Sequence, residues 1–124
     1  QEKICQLGLA ECFCLEGNQS NPYPYILNAD IYVQPSFYEA YSTTVTEAKV
    51  LYRPIVAKDV GGMRDQLVDG KTALIVPVDA SAIAEAIAHM LDEDGIMLAF
   101  SDALKQKHCQ CADALEEYER SVFA

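Results

Sequence analysis

The feature that most constrains this chain is an alternation of two kinds of segment. Short runs that are apolar on successive residues are separated by stretches with helical spacing. Four such runs stand out: Cys12–Leu15, Ile31–Gln34, Ile55–Ala57 and Ala73–Val76. A strand covered on both faces has no polar side to show, so it is apolar throughout rather than at every second residue. Between the runs, Tyr25–Ala29, Thr43–Tyr52 and Met63–Val68 have helical patterns. Asn21-Pro22-Tyr23-Pro24 suits the turn into the first of them, with proline near a helix start, and Asp69-Gly70 closes the third. Strands alternating with helices demand a parallel sheet with right-handed crossovers. The expected fold class is therefore α/β, a Rossmann-like parallel sheet of about four strands flanked by helices.

After Pro77 the pattern becomes helical. Asp79 or Ser81 can cap a helix whose Ile83, Ile87, Met90 and Leu91 share one face. Two further helices are expected at Ile96–Lys107 and Ala112–Phe123, the last carrying a stripe of Ala112, Leu115, Tyr118 and Val122. The first nine residues, Gln1 to Leu9, have the pattern of a helix end without its beginning, which implies a piece of something longer.

Charge limits the partners. Nine Lys and Arg stand against 19 Asp and Glu among 124 residues, a net charge of −10, which points to one small acidic domain. Nucleic-acid binding rests on cations that neutralise phosphates, so no nucleic-acid partner is expected, and anionic membranes would be repelled. No apolar run approaches the roughly 20 residues of a membrane span, and no basic segment followed by an apolar one opens the chain. The expectation is a cytoplasmic protein. Cys5, Cys12-x-Cys14 and Cys109-x-Cys111 fit the usual zinc-ligand spacings poorly. They are expected to be reduced, with Cys12 and Cys14 as small buried hydrophobes on one face of a strand.

In parallel sheets, ligands bind beyond the carboxyl ends of the strands. The segments there are Glu16 to Gln19, Pro35 to Ser42, Lys58 to Gly62 and Pro77 to Asp79. The second is the richest, running from a strand through a carboxylate to a helix start near Ser42. Free amides of Thr43 and Thr44, at the positive end of the helix dipole, suit a phosphate. Glu39 precedes that helix and Glu47 lies inside it, an E-x₇-E spacing. Glu85 and Glu93 repeat the spacing in a context of solvated helix surface, so the spacing alone decides nothing. A carboxylate can accept hydrogen bonds from two neighbouring hydroxyls, which makes glutamate a natural reader of sugar or ribose diols.

From Phe13-Cys14-Leu15-Glu16-Gly17 through Asn28-Ala29-Asp30-Ile31-Tyr32-Val33 and Pro35-Ser36-Phe37-Tyr38-Glu39 to Glu47-Ala48, the chain resembles the second half of family 4 glycosyltransferases of the GT-B fold. The likeness continues through Arg53-Pro54-Ile55-Val56-Ala57, Asp59-Val60-Gly61-Gly62, Asp69 to Pro77 and the Ala82 to Leu91 helix. It covers roughly residues 5 to 92 and fades after Asp94.

The resemblance implies that residues 1–124 form a nucleotide-sugar-binding domain truncated at its N-terminus, whose acceptor-binding partner domain is missing. Any membrane contact would then come through that missing half. By position, Glu39 would contact the donor sugar as the catalytic-site carboxylate, and Glu47 the ribose. The amides of Ser42, Thr43 and Thr44 would hold the diphosphate. Tyr41 and the Gly61-Gly62 turn would border the site, and Gly17 and Asn18, within Glu16 to Gln19, would lie near the base. The implied chemistry is retaining transfer from a nucleotide-diphosphate sugar to a glycan or lipid-linked acceptor, as in building cell-surface polysaccharide. The leaving diphosphate would help deprotonate the acceptor. No metal and no cofactor beyond the nucleotide sugar is implied, the phosphate charge being met by a helix N-terminus and basic side chains.

The chain departs from the family pattern in three ways. Ala40 and Ser42 replace the usual glycines around Tyr41, and a Cβ restricts positive φ. Asp65 stands for the usual glutamate, and the family's diphosphate-gripping Arg and Lys belong to a region before Gln1. Plainer roles exist for most of the residues singled out. Gly61-Gly62 can be a tight turn without a ligand, and His89 and His108 polar helix residues without catalytic partners; Lys58 ends a strand at the level of the site, where it could touch a phosphate, but a surface lysine is the expectation. Tyr23, Tyr25, Tyr32, Tyr38 and Tyr41 are expected mainly to pack, with a polar tip. The alternative to an enzyme is a non-catalytic nucleotide-binding or partner-binding Rossmann-like module. A phosphate-accepting Asp30 fits worse, because it precedes its strand.

Overall fold

The computed structural model describes residues 1–108; the expected helix at 112–123 lies outside them. The element order is α1 (Glu2–Gln6), α2 (Tyr23–Asn28), β1 (Tyr32–Gln34), α3 (Thr43–Val50), β2 (Ile55–Lys58), α4 (Met63–Gln66), β3 (Ala73–Val76) and α5 (Ala80–Asp92). A further helix, α6, occupies 96–108. The sheet has three parallel strands in the order β1-β2-β3, with Val33 beside Val56 and Val56 beside Leu74.

Alternation of side chains across β2 builds two apolar layers. Ile55 and Ala57 face one side, where they join Ile26, Val45, Ala48, Met63, Leu67, Ala73 and Ile75 beneath α2, α3 and α4. Val56 faces the other, packing with Ala86, Met90 and Phe100 from α5 and α6 and with Val33, Leu74 and Ile83 at their margins. All four residues of β2 are buried, as the continuous apolar run requires for the central strand.

The expected fourth strand, Cys12–Leu15, does not form. Cys12 and Phe13 donate their amides to the Leu9 carbonyl, as in a turn, and every residue from Gly8 to Gln19 is exposed. Cys12 and Cys14 are accordingly exposed rather than buried. An apolar run becomes a buried strand only when a neighbouring strand takes its backbone groups and layers cover its faces. Among the described residues β1 has β2 as its sole strand neighbour. No helix among them is long and apolar enough to cross a membrane.

Candidate functional site

The carboxyl ends of β1 and β2 point at two loops, 35–42 and 59–62, and the loops are fastened to each other. The Gly62 amide donates to the Glu39 carbonyl at 3.1 Å. The approach is so close that a Cβ on Gly61 would lie 1.8 Å from the Glu39 oxygen, and one on Gly62 1.9 Å from the Ala40 oxygen. Gly61 also has φ +41. The double glycine is therefore more than a tight turn: it lets one loop rest on the backbone that carries Glu39. Ala40 and Ser42 need no glycine, because Tyr52 is the one non-glycine residue with positive φ among the described residues.

Helix α3 starts at Ser42, whose extended backbone and side-chain oxygen, accepting from the Val45 amide at 3.3 Å, make a serine N-cap. Gln66, buried at the end of α4, fixes this cap. Its Oε1 accepts from the Ser42 amide at 2.9 Å, and its Nε2 donates to the Ser42 carbonyl at 3.0 Å and to Thr46 Oγ1 at 3.2 Å. The Ser42 amide, expected to be open to a phosphate, is thus already engaged. Thr43 and Thr44 keep their amides without a partner among the described residues, as the first turn of a helix leaves them. Both residues are exposed, and no acidic residue sits in the first turn.

A polar relay that the sequence did not point out lies behind this turn. Buried Gln34 donates from Nε2 to Ser36 Oγ at 2.8 Å and to Glu39 Oε2 at 3.4 Å. Its Oε1 accepts from the Tyr32 hydroxyl at 2.7 Å and from Thr44 Oγ1 at 3.5 Å. The Tyr32 phenol is pushed up from its ordinary pKa, chiefly by burial, against a lowering by Thr44 and with smaller contributions from the charges of Glu47 and then Glu39. Glu39 is joined to Tyr32 through Gln34, and the polar contact of Glu47 is a separate one. The Tyr23 hydroxyl lies 3.5 Å from Glu47 Oε1, and the two residues help line an open cleft of about 320 Å³ with Thr46, Val50 and Leu51.

Other expected residues fall elsewhere. Gly17 and Asn18 lie in an exposed segment, and the hydrogen bond there is the local one from Gln19 Nε2 to the Glu16 carbonyl. Tyr41 is exposed at the rim, and Tyr38 is more so at 86%; Tyr23 and Tyr25 are exposed over about half their surface, and Tyr32 is the most buried of the five. Lys58 is not the surface lysine expected: it is 5% exposed, and its Nζ sits 3.7 Å from the centroid of the Phe37 ring. His89 is exposed and pairs with Glu93 at 3.2 Å, so Glu85 and Glu93 are surface carboxylates, as their context predicts. Exposed His108 meets Tyr52 edge-on at 5.9 Å. Among the described residues no three His, Cys, Asp or Glu side chains group to hold a metal ion.

Known proteins are similar to this chain in sequence and in fold. The model of the glycosyl transferases group 1 family matches residues 1–107. The lipopolysaccharide core biosynthesis mannosyltransferase LpsB of Rhizobium meliloti is 28% identical over 127 aligned positions, spanning 100% of this chain and 36% of that protein. A GDP-mannose-dependent alpha-mannosyltransferase of Mycolicibacterium smegmatis is 35% identical over 66 residues, 52% of this chain and 18% of its own length. The crystal structure of Anabaena Alr3699/HepE in complex with UDP superposes with a TM-score of 0.77 at 17% identity, over 94% of this chain and 35% of that one. The chain thus spans about a third or less of each of these proteins. With the family model matched over most of its length and the Rossmann-like half of a GT-B fold in place, this chain belongs to the group 1 glycosyl transferases.

Proposed function

We propose that residues 1–124 are the donor-binding half of a retaining glycosyltransferase that moves a hexosyl-type sugar from a nucleotide-diphosphate sugar to a glycan or lipid-linked acceptor. The observation that carries this is the start of α3: two amides unpartnered among the described residues beneath a buried neutral cap, with Glu39 held by Gln34 in the preceding loop and Glu47 within the helix itself. Thr43 and Thr44 supply hydrogen bonds and the helix dipole to the diphosphate. Glu39, steadied by Gln34, accepts from hydroxyls of the donor sugar, and Glu47 accepts from the ribose diol. That Anabaena HepE was crystallised with UDP supports a nucleotide ligand for this fold. The acceptor site belongs to a partner domain, and with it the activity of the whole protein.

Titration calorimetry with uridine and guanosine nucleotides tests the reading. A diphosphate should bind more tightly than the corresponding monophosphate, and equal or absent binding would overturn the assignment of Thr43 and Thr44. Glu47→Ala should weaken a ribonucleoside diphosphate about ten- to a hundredfold, the usual loss for hydrogen bonds to a charged group. It should barely affect the 2′,3′-dideoxy analogue. Holding donor and acceptor in reacting geometry supplies roughly 7 to 11 kcal/mol of barrier reduction, so this chain alone should transfer no sugar.

A further inference from the structure

We propose that Lys58 is the phosphate-binding cation of this sheet end, held on the Phe37 ring when no anion is bound; the proposal rests on the assignment of a diphosphate to the start of α3. Lys58 is the last residue of the central strand and is 5% exposed. Little of the residue reaches water, and an ammonium with so thin a share of solvent gains from a charged or hydrogen-bonding partner. Acids outnumber Lys and Arg by 19 to 9 in this chain, yet Lys58 has no ion pair or side-chain hydrogen bond among the described residues. What it has is the face of Phe37 at 3.7 Å, a contact that meets part of an ammonium's demand and leaves its three N–H donors unused.

Location makes the vacancy chemically useful. Phe37 belongs to the loop that leads from β1 through Glu39 to the free amides of Thr43 and Thr44. Lys58 opens the loop whose Gly62 docks on the Glu39 carbonyl. Arg64 is the other cation at this end, and Asp59 already holds it by two hydrogen bonds of 2.9 and 2.7 Å. Arg53 precedes β2, Lys71 precedes β3 and Lys49 lies in the last turn of α3, all toward the opposite end of the sheet. Lys58 is therefore the cation left to offset a diphosphate here. Phe37 is 79% exposed, so the ring can leave without uncovering a core, and the four-carbon stem of lysine lets the ammonium follow an anion.

Calorimetry with inorganic pyrophosphate on the whole chain tests this without a nucleoside. Lys58→Met should cut pyrophosphate affinity about ten- to a hundredfold. Its melting temperature should stay level or rise, because an apolar chain of similar length replaces a largely covered lysine that has no ion pair among the described residues. Lys58→Arg should keep most of the affinity, and Phe37→Leu should raise it about two- to fivefold by removing the competing ring. Pyrophosphate binding that is absent in the wild type, or unchanged in Lys58→Met, overturns the proposal. So does a Met variant that melts earlier or does not fold, since the lysine would then be structural. If Lys58→Met keeps the wild-type preference for a nucleoside diphosphate over its monophosphate, the diphosphate site stands and Lys58 is not part of it. If the wild type binds neither pyrophosphate nor nucleotide, both assignments fall.

Discussion

Helices α3 and α5 begin at the same end of one parallel sheet, each just after a strand, yet their first turns are opposites. The α5 cap is Asp79, an exposed carboxylate that accepts from the amides of Ser81 and Ala82 at 3.0 and 3.2 Å and from the Ser81 hydroxyl. Those contacts, the Ser81 hydroxyl foremost, hold the Asp79 pKa below its ordinary value. The α3 cap is Ser42, neutral, buried and immobilised by Gln66. One helix has filled its positive end with an anion of its own, and the other has stayed neutral there. A helix start is thus open to a foreign phosphate only where the chain spends no carboxylate on the cap.

Four measurements can break or sharpen that contrast. The largest effect is expected from Gly62→Ala, whose Cβ would meet the Ala40 carbonyl at 1.9 Å, backbone against backbone. It should lower stability by about 3 kcal/mol in chemical denaturation. Hydrogen exchange should rise in α3 more than in α5, and equal loosening of both would show that the loop contact does not specifically support the α3 side.

Gln66→Ala removes the acceptor of the Ser42 amide, and one of several donors to its carbonyl, and leaves that amide buried without an acceptor. About 1–3 kcal/mol of stability should be lost. A smaller change would mean that water replaces the glutamine. Ser42→Asp comes next and makes α3 resemble α5. Asp is as good a cap, so the helix should persist by circular dichroism, while nucleoside diphosphate affinity should fall about tenfold through competition and repulsion. Unchanged affinity would place the diphosphate elsewhere.

The smallest effect is that of Asp79→Asn, which makes α5 resemble α3. The folded-state pKa of Asp79 lies below the ordinary 3.8, so its stabilising contribution is present above that pH and is lost as pH falls through the folded value. Asn should therefore flatten the acid limb of the melting temperature curve and change little at neutral pH. A wild-type curve already flat between pH 5 and about pH 2 would show that the cap carries no linkage.

Local patterns made one half of this contrast legible. The runs at 31–34, 55–57 and 73–76, the Asp79 cap and the helix starting near Ser42 are all encoded within a few residues, and the structure has each of them. The partners of Ser42 were not legible, because Gln66 lies 24 residues away and nothing about a glutamine says which backbone it will meet. Gln34 was hidden for the same reason: it counts as the polar end of an apolar strand until Tyr32, Thr44 and Glu39 close around it. The run at 12–15 failed in the other direction. Its composition satisfies a strand, but strandhood depends on a neighbour that the local sequence does not contain. Lys58 reads as a surface residue because lysine usually is one, whereas here it ends the central strand, all four of whose residues are buried, and meets a ring some 20 residues earlier in the chain.

The clasp between Gly61-Gly62 and the Glu39-Ala40 backbone has a consequence for inheritance. Two segments more than 20 positions apart in the chain occupy one volume, so neither can drift alone. A side chain gained at 61 or 62 would have to be matched by a displaced 39–40 backbone, and the carboxylate of Glu39 would move with it. Variation at the glycines is therefore filtered through the geometry of a residue they never touch by side chain. In a library randomised at 39, 40, 61 and 62 together, surviving non-glycine residues at 61 or 62 should be found with altered residues at 39 or 40, rather than scattered independently.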